Sequence, residues 1–403
     1  MSARPAGGKP GRLAFVPPRY GEDTVGGAEA VLREAAHGLA ARGWCVDVLT
    51  TCARDHFTWA NEYPAGTSID GALTVRRFPT VISTQRAERA HYEAAIHAGQ
   101  RLSIEQQQRW MNDDLRVPEL FHFLLDQAGD YDAIVFAPYL FWTTFVGAQV
   151  APERTILMPC LHDEPYAHLE IFEPVFNGAL GVWFLSEPEH QLAHQLFQIP
   201  QNHHVTGAGV DIPSGYDPVG FRQRHGLGDR RFVLFAGRRE GAKGWDGLLQ
   251  MYERIVARAD IPLDLVTMGA VPVRPPAAIA DRVIDLGFQP KAERDDAFAA
   301  AAAYLQPSQL ESFSRTAMEA WLAGTLLIAN GASDVVRWHC DRSGAGLTFD
   351  DELELEECLR FVVEAPAVAA ELAERGRSYV LQNYSWDAVL DRMEATLETW
   401  CAS

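Results

Sequence analysis

Two short stretches of this chain bring together residue types suited to a ligand carrying both phosphate and hydroxyl groups. The first is "FAGRREGAKGWDGLL" at 235–249, where Gly237 lets the chain turn and Arg238, Arg239 and Lys243 crowd a loop before a helical pattern begins. Such a loop can set cations and helix-terminal N–H groups against a diphosphate. Each cation about 4 Å from a phosphate charge is worth on the order of 4 kcal/mol at an effective dielectric of about 20, before desolvation. The competing reading is a solvated turn. Against it, Lys9, Lys243 and Lys291 are the only lysines in a chain that otherwise uses arginine, so a compact ammonium at 243 stands out. The second stretch is "PSQLESFSRTAMEAWLAG" at 307–324, with Glu311 just before a helical pattern and Glu319 eight positions on. Carboxylates beside a helix N-terminus can grip sugar or ribose hydroxyls while unused N–H groups face phosphate. Taken alone, they read equally as a dipole-complementing acid and a solvated helix residue.

Three other constellations attract attention. "MPCLHDEPYAHL" puts His162, Asp163 and Glu164 in a row at the end of an apolar run. Consecutive residues on an extended chain point to alternate sides, which sets a metal site aside. His203-His204 reads as a surface pair. Trp59 and Tyr63 in "TWANEYPAG" could stack on a sugar acceptor, and read at least as well as packing of a core or a loop.

These residues need a scaffold, and the pattern around them supplies one. Short apolar runs at 12–16, 45–51, 133–136, 155–158 and 182–185 alternate with helical segments, one of them polar, at 103–110. Glycine and proline then crowd into "GAGVDIPSGYDP" at 207–218, and the alternation restarts. Strands are expected at 232–236, 263–268, 283–286, 304–306 and 326–329. Helices are expected at 245–256, 291–302, 315–322, 353–363 and 367–381, then an amphipathic one at 386–400. Such alternation implies an α/β chain with parallel sheets covered on both faces. The expected organisation is a loose tail at 1–11, a Rossmann-like half at 12–206, a linker at 207–218, a second half at 219–383, and a closing helix at 384–403 packed back on the first half. In doubly wound sheets ligands bind beyond the carboxyl ends of the strands, where both candidate clusters fall.

Read together, the clusters resemble the retaining nucleotide-sugar glycosyltransferases of family 4, with the GT-B fold. Gly237-Arg238 and Lys243-Gly244 match that family's Gly-Arg turn and following Lys-Gly; Glu311 and Glu319 match its Glu-x7-Glu motif. The opening "PPRYGEDTVGGAEAVLREAAHGLAARGWCVDVLTT", the linker "GAGVD", "VIDLGFQP" and "YSWDAVLDRM" are similar to further parts of the pattern. Residues 58–127 stand outside it. The resemblance implies two Rossmann-like domains facing each other across a cleft, and transfer of a sugar from a nucleotide diphosphate sugar to a glycan, lipid-linked glycan or small glycoside with retention.

It also implies roles. Arg238 and Lys243 would neutralise the departing diphosphate, Glu319 hold the ribose and Glu311 the transferred sugar. Backbone at Ser314, Arg315 and Thr316 would face phosphate and sugar. Gly287, Phe288 and Gln289 would border the base. Gly26 and Gly27 would let backbone approach the donor, and His162 would stand near sugar or acceptor. No metal and no cofactor would be needed, since cations take the metal's part. The family often has glycine where this chain has Ser312 and Ser314, and a smaller residue at Trp321, changes expected to narrow or re-bond the sugar pocket. The rival within enzymes is an epimerase or phosphorylase of the same fold; a phosphorylase would need a pyridoxal lysine, which so few lysines disfavour. The rival of another class is a silent subunit that activates a partner transferase.

Bulk composition fits. The 403 residues, 47% hydrophobic and 22% charged, can bury two cores. A formal charge of -19 argues against nucleic-acid binding, which wants a basic face, though a small basic patch could still touch a membrane surface. Six scattered cysteines without a CxxC pair read as reduced thiols of a cytoplasmic protein. The uncharged stretch 133–152 is broken by Pro138, Thr143, Thr144 and Gly147, so it reads as a buried strand, loop and helix and not as a membrane span.

Overall fold

The computed structural model describes residues 11–401 other than Asp23, Val25 and Glu240. All of the expected tail except Gly11 lies outside the described residues. The chain divides into two compact units, one made of residues 1–209 and 386–403, the other of Val210–Ser385.

In the first unit the strands are β1 Arg12–Val16, β2 Cys45–Thr51, β3 Gly66–Asp70, β4 Leu73–Phe78, β5 Val81–Ile82, β6 Leu115–Arg116, β7 Ala133–Phe136, β8 Thr155–Leu157, β9 Gly181–Phe184 and β10 His203–Val205. Eight of them form one sheet in the order β10-β9-β8-β7-β1-β2-β4-β3. It is parallel throughout except for β3, which pairs antiparallel with β4. β7, β9 and, after its opening Arg12, β1 are unbroken apolar runs, buried as a sheet covered on both faces requires. The β3–β4 hairpin falls in the segment the family pattern does not cover, and β3 is an exposed edge with little apolar content. β5 and β6 form a separate two-stranded ribbon.

The helix Trp386–Trp400 returns to this unit. Trp183 Nε1 donates to Thr396 Oγ1 at 2.8 Å, and the Arg42 guanidinium meets Asp391 at 2.7 Å and Glu394 at 2.6 Å. The uncharged stretch resolves into β7 and the short helix Trp142–Gly147. Among the described residues no helix is long and apolar enough to cross a membrane.

The second unit contains β11 Phe232–Ala236, β12 Asp264–Met268, β13 Val283–Asp285, β14 Ala303–Gln306, β15 Leu326–Asn330 and β16 Leu347–Phe349, all parallel, in the order β13-β12-β11-β14-β15-β16. After β11 the chain builds outward to β13, then crosses back to lay β14 on the other side. The crevice between the ends of β11 and β14 is therefore a topological switch point, the place where open α/β sheets hold ligands. Val233, Leu248, Ile255, Leu265, Leu305 and Leu359 belong to the core around this sheet.

Candidate active site

The switch point is framed by backbone before any side chain acts. β11 ends at Ala236, and the loop after it tightens into the turn Gly241–Lys243 before the helix Trp245–Arg258 begins. Gly244 caps that helix at φ 69°, a left-handed conformation that favours glycine. A Cβ there would lie 2.3 Å from the carbonyl oxygen of Pro307, so only glycine lets this loop press against the segment after β14. That contact delivers Lys243: its Nζ donates to Glu311 Oε1 at 2.7 Å.

The two arginines of the loop part company. Arg238 is exposed. Arg239 turns inward, its side chain only 2% exposed, and forms an ion pair with Asp285. It also donates to Thr267 Oγ1 at 3.0 Å and to the Gly269 carbonyl at 3.2 Å, tying together the ends of β11, β12 and β13. The sequence groups Arg239 with the phosphate cations; the structure corrects this, because both of its terminal nitrogens are taken up by neighbouring strand ends.

Gln306, the last residue of β14, organises the other half of the site. Its Nε2 donates to Glu311 Oε1 at 3.1 Å and to Ser314 Oγ at 2.8 Å, while its Oε1 accepts from the Tyr304 hydroxyl at 3.0 Å. Burial pushes the Tyr304 phenol up, so it stays a protonated donor. Sequence reading missed Gln306; the available signal was a polar residue ending an otherwise apolar strand.

Ser314 adopts φ 67°, ψ 71°, the left-handed region where the family pattern has glycine, at a cost of about 1–2 kcal/mol for a residue with a Cβ. Its hydroxyl is turned toward Gln306 and makes no cap bond to the helix Arg315–Leu322, leaving the first-turn amides at Arg315 and Thr316 uncovered by their cap. Within that helix Glu319 is 7% exposed and accepts from Arg294 at 3.1 Å.

At the end of β13, Gly287 takes φ 66° and its N–H donates to Asp285 Oδ1 at 3.0 Å. Phe288 stands 65% exposed, and Gln289 Nε2 donates to the Leu286 carbonyl at 2.6 Å. Arg238, Lys243, Gly287, Phe288, Gln289, Glu311, Ser314, Arg315, Thr316 and Glu319 thus belong to one unit and follow β11, β13 and β14.

Gly26, Gly27 and His162 belong to the first unit. Gly26 precedes the helix Gly27–Ala41, and a Cβ on it would meet the Glu29 carboxylate at 2.1 Å. Glu29 is held there by Arg19, so this glycine makes room for a buried ion pair. Gly27 has open space at its Cβ position. The His162-Asp163-Glu164 row diverges: Asp163 meets His168 at 2.8 Å, Glu164 accepts from Tyr139 at 2.8 Å, and His162 Nδ1 lies 3.6 Å from Glu164.

Three further readings are decided by burial. Trp59 is 5% exposed and packs edge-on to Phe141, so it is a core residue and not a stacking platform. Trp321 is fully buried with its ring over Gly376 in the helix Pro366–Asn383, where a Cβ would come within 2.3 Å; it fills a core and does not line a sugar pocket. The His203-His204 pair splits, because neighbours on a strand face opposite ways: His204 is exposed, while His203 is half-buried and stacks on His190 at 4.9 Å.

Residues 220–379 match the family model described as "Glycosyl transferases group 1". The second unit is a group 1 glycosyltransferase domain. Among curated relatives, the chain is 27% identical over 198 residues to the MMP alpha-(1->4)-mannosyltransferase of Mycolicibacterium hassiacum, covering 46% of this chain and 47% of that protein. It thus spans about half the length of that relative. It is 24% identical over 403 aligned residues to the D-inositol 3-phosphate glycosyltransferase of Jonesia denitrificans, covering 94% and 92% of the two chains.

Two solved structures are alike along nearly the whole chain. Sucrose-phosphate synthase from Thermosynechococcus elongatus superposes with a TM-score of 0.73 at 18% identity, covering 98% of this chain and 100% of that one. HepE from Anabaena, in complex with UDP and glucose, does so at 0.67 and 17% identity, covering 96% and 99%. At these identities the likeness shows the fold, and the GT-B expectation holds. In the group 1 domain, Glu311 and Glu319 occupy the loop and helix that follow the central strand β14.

Proposed function

We propose that this protein transfers a sugar from a nucleoside diphosphate sugar to a hydroxyl acceptor, with retention at the anomeric carbon. The observation that carries the proposal is the switch point itself. Lys243, Glu311 and the first turn of the helix Arg315–Leu322 meet beyond the ends of β11 and β14, giving one ammonium, one carboxylate and a helix N-terminus at a single crevice. Arg238 and Lys243 supply positive charge for the diphosphate as it leaves. Glu311 binds hydroxyls of the transferred sugar and Glu319 those of the ribose, with Arg294 holding Glu319 in place until then.

In the transfer the anomeric carbon–phosphate oxygen bond breaks and a bond to the acceptor oxygen forms on the same face. The acceptor's proton passes to the leaving diphosphate, so no side chain has to serve as base. Charge on the diphosphate is met by cations and amide donors, so the scheme calls for no divalent ion there.

The deciding experiment is a thermal-shift screen of UDP, GDP, ADP and their sugars, followed by NMR of the product from any donor that stabilises. A donor at about 100 times its dissociation constant stabilises by roughly 2.7 kcal/mol. An α-donor giving a β-product would overturn retention. A donor that binds but is neither transferred nor hydrolysed would mark a silent subunit.

A further inference from the structure

Away from the switch point, in the first unit, three imidazoles converge. His190 and His194 lie four positions apart on the helix Glu187–Leu196, which puts them on one face, and His203 opens the edge strand β10 beside them. One nitrogen from each ring can be chosen so that all three lie within 4.8 Å of one another. Ring centroids are 4.6 Å apart for His190–His194, 4.9 Å for His190–His203 and 5.4 Å for His194–His203.

The outer nitrogens of two rings already have acceptors. His203 Nδ1 lies 2.9 Å from the Pro200 carbonyl, and a carbonyl can only accept, so that nitrogen carries the hydrogen and Nε2 carries the lone pair. His190 Nδ1 lies 3.2 Å from Glu187 Oε1, which fixes the same tautomer. His190 Nε2 is then a buried lone pair with no hydrogen-bond partner among the described residues. Histidines bound to metals are held in this way, the far nitrogen donating to a carboxylate or a backbone carbonyl. His194 is exposed and leaves one side of the cluster open to water.

We propose that His190, His194 and His203 form a metal site for a borderline divalent ion, with zinc as its occupant. Three neutral imidazoles and no carboxylate in the set select zinc over magnesium, calcium or manganese, which prefer oxygen donors. Tetrahedral zinc with bonds of about 2.0–2.1 Å needs nitrogens roughly 3.3 Å apart, a side-chain rotation away from the present spacing. Zinc there would pin the helix Glu187–Leu196 to the edge strand β10, with water as fourth ligand. This inference is independent of the sugar-transfer reading.

The test is zinc titration of the untagged full-length chain by calorimetry, with metal content after dialysis as the second readout. One zinc per chain is expected, undisturbed by millimolar magnesium. His194→Ala, at an exposed position, and His203→Gln should each weaken binding at least tenfold, while Asp163→Asn, at the separate His168–Asp163 pair, should leave it unchanged. Absence of stoichiometric zinc, or equal binding by wild type and both histidine variants, would overturn the proposal.

Discussion

Lys243 and Glu311, 68 positions apart in sequence, meet at 2.7 Å across the switch point, and Gln306 shares the same carboxylate oxygen at 3.1 Å. The pair is partly exposed, with side-chain accessibilities of 28% and 11%, so the ammonium keeps a solvent-facing side. Under the proposed reading, a diphosphate arriving here would compete with Glu311 for Lys243, so the carboxylate would both position the cation and weaken its hold on an anion.

Glu311→Gln should separate those two effects. Removing the negative charge should tighten binding of the bare nucleoside diphosphate by a few-fold, on the order of 1 kcal/mol for a partly screened pair. Sugar transfer should fall, because a neutral amide grips the sugar hydroxyls less well. Calorimetry with the nucleotide and turnover with the sugar donor check the two arms; weaker nucleotide binding contradicts the competition.

Lys243→Ala should lower turnover by a factor on the order of 10²–10³, about 2.7–4 kcal/mol of transition-state stabilisation, by analogy with deleted oxyanion donors. Stability should change by less than about 1 kcal/mol, since the ion pair lost is partly solvated. Wild-type turnover in a normally folded variant would remove Lys243 from the reaction.

Gly244→Ala should destabilise by at least about 2 kcal/mol, from left-handed backbone and from a Cβ driven into the Pro307 carbonyl. Thermal or denaturant unfolding measures it. An unchanged melting temperature would mean that the loop relaxes freely.

His339 gives the second unit an acid-sensitive core. Burial lowers its pKa to about 3, Arg342 adds to the effect, and Tyr379 and Tyr384 surround the ring. The unfolded chain takes up a proton near pH 6.5 and the folded chain does not, so this stability is present above pH 6.5 and is lost as pH falls toward 3. At pH 4 the loss is roughly 3 kcal/mol. His339→Phe should flatten the unfolding curve between pH 7 and pH 4 relative to wild type. Parallel curves would assign the acid sensitivity to other groups.

Transfer by the chelated protein should not rise when magnesium or manganese is added, because the groups proposed to face the diphosphate are cations and amide donors, and Glu311, the carboxylate beside them, is assigned to the sugar. Stimulation by either ion would require carboxylate ligands at the diphosphate.

The sheets were legible because parallel strands buried on both faces are continuous apolar runs; β11 and β14 are read directly from FVLFA and AYLQ. The β3–β4 hairpin was not, since β3 is polar, exposed and without alternation. Within the candidate site, spacing singled out Lys243 and Glu311. It could not separate Arg238 from Arg239, because adjacent arginines differ only in which strand ends lie within reach. The Arg294–Glu319 pair was equally invisible, joining helices that only the tertiary fold brings together.

Val210 N–H donates to the Tyr384 carbonyl at 2.9 Å, so the segments entering and leaving the second unit run side by side. That unit is therefore an insertion within the first, and its ends close on themselves. On the ribosome, every strand of the first sheet emerges before the insertion, while the helix Trp386–Trp400 emerges only after it. The nascent first unit must wait, with Trp183 and the Arg42 side of its opening helix uncovered, while 176 further residues are made. All six strands of the inserted unit's own sheet, by contrast, are made before that helix emerges.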